Sequence, residues 1–220
     1  AAPIPTEPVT VPLFERAHVF FTGMENRRTV DGAAQFPDAT YARATLTLTL
    51  ACPSNRCDAW DRVASLSILD ERGGDGGAPA ELEIARFVTP YGVGGTWSQD
   101  VTDLMPLLRG PRHVRVFIDT WVGPGSSSGN GWLVTASVTL EPGAIEHPVR
   151  QVIPLGWSSA VYGDPARPIA SQLPPRRVEG PAGVGGARRW VTTTGHGQGN
   201  RDNCAEFCPR THAVTFDDQR

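Results

Sequence analysis

The sequence predicts an all-β protein of antiparallel sheets packed as a sandwich or jelly roll, and three observations carry that reading. Thr45-Leu-Thr-Leu-Thr-Leu50 alternates polar and apolar residues with period two, and Val63 to Leu69, Leu82 to Val88, Val114 to Asp119 and Trp132 to Leu140 have the same character. Segments of this length and pattern are strands. The breaks between them, Arg72 to Ala80 and Gly123 to Gly131, are rich in Gly, Pro, Ser and Asn and suit surface turns. No long segment of helical period alternates with the strands, and only Leu104 to Arg109 hints at a helical turn.

A chain of 220 residues is long enough for one large β unit or two moderate domains. The strand pattern ends at Glu141-Pro-Gly, so residues 1–142 are expected to form the first domain and 143–150 a linker. Residues 151–220 are expected to form a second domain. Pro, Gly and Arg dominate it from Pro165 to Arg189, and strand character returns at Trp190 to Thr194 and at Thr211 to Phe216. So little apolar sequence predicts a partial domain, or one that leans on the first.

Hydrophobic residues make up 40% and charged residues 20%, a globular composition, and no apolar run approaches the roughly 20 residues of a helical membrane span. The formal net charge is −3, every basic side chain is Arg, and the arginines are scattered. Nucleic-acid binding therefore gets no support. The opening Ala-Ala-Pro-Ile-Pro-Thr-Glu-Pro resembles the start of a mature exported protein, so a secreted or periplasmic location is expected. The four cysteines form two close pairs, Cys52 with Cys57 and Cys204 with Cys208, which suits local disulfides although three connectivities are open. His196, Cys204, Cys208 and His212 have zinc-like side chains, but their spacing matches neither a finger nor a ribbon.

The most informative stretch is Cys52-Pro-Ser-Asn-Arg-Cys57-Asp58-Ala59-Trp60-Asp61-Arg62. A bridge closing so short a loop adds modest closure entropy and mainly fixes local geometry upstream of Asp61. A catalytic or ligand-gripping carboxylate needs that kind of support.

The pattern Cys-Pro-x-x-x-Cys-Asp-x-Trp-Asp-Arg resembles the first-domain signature of the peptide-N-glycosidase F family. Ala85-Arg-Phe-Val-Thr-Pro-Tyr91 with Val93-Gly94, Asp100-Val-Thr-Asp-Leu104, Ile118-Asp-Thr-Trp121 and Cys204-Ala-Glu-Phe-Cys-Pro-Arg-Thr-His212 agree with further family segments in the same order. The likeness is close over residues 45–142 and patchier over 190–216.

The resemblance implies two consecutive antiparallel jelly-roll sandwiches, the second incomplete here, with the active site at their interface. It implies an amidase that cleaves the bond between an Asn side-chain amide and the first N-acetylglucosamine of an N-linked glycan, giving Asp and a glycosylamine. The implied partners are N-linked glycoproteins or glycopeptides, with no metal or organic cofactor, and a monomer is expected. By position, Asp61 matches the main catalytic acid and Glu206 the second-domain acid that positions water. Asp119 falls where the family has glutamate, one carbon longer, in a sugar-contacting role. Arg62 is expected to hold a carboxylate or sugar hydroxyl, Trp60 and Trp121 to stack on pyranose faces, and His196 to border the site. Blander readings make Trp60 a core anchor, Arg62 an ordinary ion-pair partner and Glu206 solvated surface.

Amide hydrolysis suits these residue types, because a base must activate water or substrate and a donor must protonate the departing nitrogen. The chain departs from the family pattern at Gly92 and Thr194, where aromatic residues are usual, and in a short loop between His196 and Cys204. Two further readings follow. One is a glycan- or glycoprotein-binding jelly roll without chemistry. The other is a metal-dependent enzyme, disfavoured by five histidines with no His-x-His pair and only two methionines.

Overall fold

The computed structural model describes residues 2–70, 80–155, 160–161, 165–194, 209 and 211–213. Among the described residues nine strands form: β1 Val9–Phe21, β2 Asn26–Arg27, β3 Thr29–Phe36, β4 Tyr41–Ala51, β5 Val63–Asp70, β6 Ala80–Val88, β7 Gly95–Asp100, β8 Gly110–Ile118 and β9 Trp132–Pro142. They make a five-stranded sheet in the order β2-β1-β9-β4-β7 and a four-stranded sheet in the order β3-β8-β5-β6. Every pairing is antiparallel. The all-β sandwich read from the sequence is therefore the fold, and the expected helical turn is a 3-10 turn over Thr102–Leu107.

β4 shows how alternation sets the layers. Leu46, Leu48 and Leu50 are at most 2% exposed and face the core, while Thr45, Thr47 and Thr49 face out. On the outer face Thr47 hydrogen-bonds Ser98 at 3.1 Å and Thr49 bonds Thr96 at 2.9 Å. Each of these pairs lies directly across the β4–β7 ladder. Cross-strand hydroxyl pairs add a few tenths of a kcal/mol each, to at most about 1 kcal/mol, so the register is fixed mainly by the leucines.

Trp132, Phe36, Leu66, Ile84, Ile118 and Leu140 are among the largest fully buried side chains of the shared core. Ile145 and Val152 pack against its edge. β5 is buried on both faces: Ala64, Leu66 and Ile68 point inward, while Ser65 and Ser67 on the outer side are 8% and 1% exposed. Small serines fit there because their cross-strand neighbours are long, Phe117 and Arg86 beside Ser65, Arg115 and Glu83 beside Ser67. Ion pairs order that surface, Arg115 with Asp31 at 2.7 Å and Arg86 with Glu83.

Beyond Pro142 the described residues contain one helical turn, Ile169–Gln172, and no strand. The strand expected at Trp190 to Thr194 is not formed; β-prone side chains need a neighbouring strand to bond, and these residues have no ladder partner among the described residues. The chain divides into a unit of residues 1–188, which holds all nine strands, and a unit of residues 189–220 whose described residues are exposed. No helix among the described residues is long and apolar enough to cross a membrane.

Two outcomes follow from this packing. Leu48→Ala should lower the unfolding free energy by about 2–5 kcal/mol through a core cavity, whereas Thr47→Ala should cost less than about 1 kcal/mol, measured by urea denaturation. Electrostatics adds a pH dependence. The hydrogen-bonded Arg115 guanidinium holds the Asp31 carboxyl below its ordinary range, against a smaller opposing effect of burial. A depressed carboxylate stabilises the fold above its unfolded pKa of about 3.9 and loses that contribution as pH falls through the folded value. Melting temperatures of wild type and Asp31→Asn should therefore differ near pH 7 and converge towards about pH 2–3.

Candidate functional site

The Cys52–Cys57 disulfide is formed, as the close spacing suggested. It clasps the connection between β4 and β5, which turns through Ser54 and Asn55 in left-handed backbone conformation at φ 50° and 60°. The β8–β9 connection closes over it. Asn130 N–H donates to the Arg56 carbonyl at 2.8 Å, Ala59 N–H to the Ser128 carbonyl at 3.0 Å, and Arg56 Nη2 to the Ser126 and Ser127 carbonyls at 2.9 and 2.8 Å. Gly129, at φ +129°, lies so close that a Cβ there would sit 2.0 Å from the Cys57 carbonyl oxygen.

Beneath this surface lies a carboxylate that the sequence did not single out. Asp58 is 0% exposed. Its Oδ2 accepts from Arg62 Nε at 2.8 Å and from Thr120 Oγ1 at 2.6 Å, and its Oδ1 accepts from the Trp60 N–H at 3.0 Å. A third loop joins through the Gly92 N–H, which donates to the Asp58 carbonyl at 3.0 Å. A buried charge is tolerated only when paired and hydrogen-bonded, and here both carboxylate oxygens are filled. One side chain thereby ties the stapled loop to the start of β5 and the end of β8.

Arg62 is thus committed to a protein carboxylate, and its side chain is only 20% exposed. Its N–H donates to Thr89 Oγ1 at 2.9 Å, and its carbonyl accepts from the Thr89 N–H at 2.9 Å, which extends the β5–β6 ladder one step past Val63. Asp61 immediately precedes that anchored residue and is half-buried. Trp60, 59% exposed, presents its ring to solvent and is not a core anchor.

Asp119 and Trp121 follow the last residue of β8. The Asp119 N–H donates to the Val63 carbonyl at 3.0 Å, so the chain leaving β8 runs beside the chain entering β5, where Asp61 lies. Arg28 Nη1 donates to Asp119 Oδ1 at 3.1 Å, and the same guanidinium carbon lies 4.4 Å from the centre of the Trp121 ring. Phe21 meets Trp121 edge-on at 5.3 Å. A recess of about 260 Å³ opens beside them, lined by Phe21, Thr22, Gly23, residues 121–124 and Ser126. The exposed aromatics Trp60, Tyr91 and Trp121 all belong to loops of this end of the sandwich.

Glu206, His196, Cys204 and Cys208 lie outside the described residues. The described site therefore gathers Asp61, Arg62, Trp60, Asp119 and Trp121 on adjoining connections, supported by Asp58, Thr120 and Arg28. Asp58 and Thr120 lie within the quoted motifs, but nothing local shows that they bond each other, and Arg28 lies in none of those motifs and meets Asp119 only after the sheet is built.

The buried pair dominates the energetics of this support. Asp58→Ala should cost about 3 kcal/mol or more, because it strands the Arg62 guanidinium and two donors. Removing the disulfide as Cys52→Ser with Cys57→Ser should cost about 2 kcal/mol, the value for so short a loop. Urea titration of the two variants tests the order; a larger loss from the cysteine variant would refute it.

The N-terminal family model of peptide-N-glycosidase F matches residues 74–139. The peptide-N(4)-(N-acetyl-beta-D-glucosaminyl)asparagine amidase F of Elizabethkingia miricola is 26% identical over 204 residues, covering 86% of this chain. The chain spans 54% of that curated relative's length. The solved structure of PNGase F, a glycosylasparaginase from Flavobacterium meningosepticum, superposes with a TM-score of 0.53 at 25% identity over 64% of this chain and 43% of its own. PNGF-II, at 16% identity and TM-score 0.50 over 64% of this chain and 35% of its own, shares the fold. Over residues 74–139 the chain matches the N-terminal model of the peptide-N-glycosidase F family, and its sandwich superposes on that of PNGase F, so the chain is similar to this family in sequence and in fold.

Proposed function

We propose that this protein is an exported amidase of N-linked glycans, acting on the bond between the Asn side-chain nitrogen and carbonyl when that nitrogen carries N-acetylglucosamine. Water adds to the amide carbon, the C–N bond breaks and the nitrogen leaves protonated, so the peptide keeps Asp and the glycan departs as a glycosylamine. The observation that carries this reading is the presentation of Asp61. It sits between an exposed indole and an arginine locked to a buried carboxylate, on a disulfide-clasped loop beside the chain bearing Asp119 and Trp121.

In this reading Asp61 activates the attacking water, and a rigid support keeps its carboxylate aimed without reorganisation during the reaction. Glu206 is proposed as the second acid, orienting water and assisting the departing nitrogen. Asp119 accepts a sugar hydroxyl on the oxygen that Arg28 leaves open. Glycoproteins or glycopeptides are the proposed substrates. The disulfide supports a secreted or periplasmic location, since such bridges persist in oxidising compartments.

A binding-only reading has its own observation: Arg62 and Asp119 are both engaged by protein partners, Asp58 and Arg28. Mass spectrometry of an N-glycopeptide after incubation separates the two. Glycan loss together with conversion of Asn to Asp is the expected result, and an unchanged mass with bound glycopeptide would establish binding alone. Asp61→Asn should lower the cleavage rate by about 10²–10⁴-fold while circular dichroism and melting temperature stay at wild-type values. Undiminished cleavage by that variant would remove Asp61 from the mechanism.

A further inference from the structure

We propose that Arg28 is a positioning residue that binds Asp119 and Trp121 into one sugar-holding unit and fits the site to its shortened acid. This rests on the glycan reading above. Four contacts converge on the guanidinium. Nη1 donates to Asp119 Oδ1 at 3.1 Å, Nε donates to Asn26 Oδ1 at 3.1 Å, and the planar head lies 4.4 Å from the Trp121 ring centre and 5.1 Å from that of Phe21. Its side chain is 21% exposed against 45% for Asp119, so the arginine is the more enclosed partner.

The backbone delivers Arg28 to this place. Phe21 and Asn26 are paired across the short β1–β2 hairpin, and the Arg28 carbonyl accepts from the Ile118 N–H at 3.0 Å, one residue before Asp119. Asn26 Oδ1 also accepts from the Arg28 N–H at 3.3 Å, clamping the side chain at its root as well as at Nε. An aspartate reaches one carbon less far than a glutamate, and its rotamers leave the carboxylate free to swing. A flat donor anchored at both ends removes that freedom. With a half-exposed pair the electrostatic attraction is small, so the contribution is orientation rather than binding strength of the pair itself.

The stacking has a second effect. Arg28 covers one face of the Trp121 indole, so a pyranose can pack only on the surface that remains, and the acid and the platform move together. Arginine over tryptophan is the most favourable pairing of this kind, and lysine does not reproduce its flat contact.

The test uses N,N′-diacetylchitobiose binding, followed by calorimetry and tryptophan fluorescence, alongside glycopeptide cleavage. Arg28→Met should weaken chitobiose binding about tenfold and raise KM with kcat changed less than about threefold, because ground-state and transition-state contacts are lost equally. Arg28→Lys keeps the charge without the planar stack, should unfold at the wild-type temperature, and should fall between the two; it decides the matter if Arg28→Met does not fold. Wild-type chitobiose affinity and KM in a folded Arg28 variant overturn the proposal and leave the amidase reading standing. Chitobiose binding that depends on Arg28 without any cleavage by wild type keeps the proposal and removes the amidase. Absence of both binding and cleavage in wild type overturns both.

Discussion

The site end of this sandwich depends on one desolvated carboxylate. Asp58 is buried completely and its contacts gather three chain connections: Trp60 and Arg62 in its own loop before β5, Thr120 at the exit of β8, and Gly92 after β6, whose N–H bonds its carbonyl. Burying such a group without partners would cost several kcal/mol, so the fold is driven to whichever loop arrangement satisfies it. Loops are ordinarily the least constrained parts of a β-sandwich. Here an ionic centre gives them the definition that hydrophobic packing gives the strands.

The supporting layers are arranged in depth. Leucines and valines of both sheets form the core, the Asp58 group caps it, and Asp61, Trp60, Asp119 and Trp121 stand on top. Arg62 faces downward to Asp58 while its neighbour Asp61 is left half-buried. A side chain presented for binding or chemistry is thus only one peptide unit away from one that is wholly structural. This proximity lets a clasped turn hold a carboxylate in one orientation.

Much of the fold was legible because alternation and burial agree in β4, β8 and β9, while β5 and β6 keep an apolar strand-like composition. The leucines of β4 are the plainest case. β1 was not legible, since Pro12 interrupts it and register shifts on either side of Phe14 break its period. β7 is short and polar, and β3 carries Gly32 at its middle, so neither has the β-branched density that marks a strand. For the site, side chains that advertise chemistry were readable and those that hold them were not. A motif shows Asp61 and Trp121, but the value of Asp58, Thr120 and Arg28 lies in contacts spanning 62 and 91 residues. Long-range pairing of that kind is settled by topology, which local sequence does not contain.

Gly129 shows what such tight assembly asks of inheritance. With its α-carbon pressed against the Cys57 carbonyl, the position has no room for even a methyl group. Space for a larger residue in the β8–β9 connection exists at its outer part, as at Gly125, where an added Cβ meets nothing within 4 Å, and not at Gly129. Diversification of what this surface recognises is channelled towards the rim, and the hinge against the cystine clasp is closed to it.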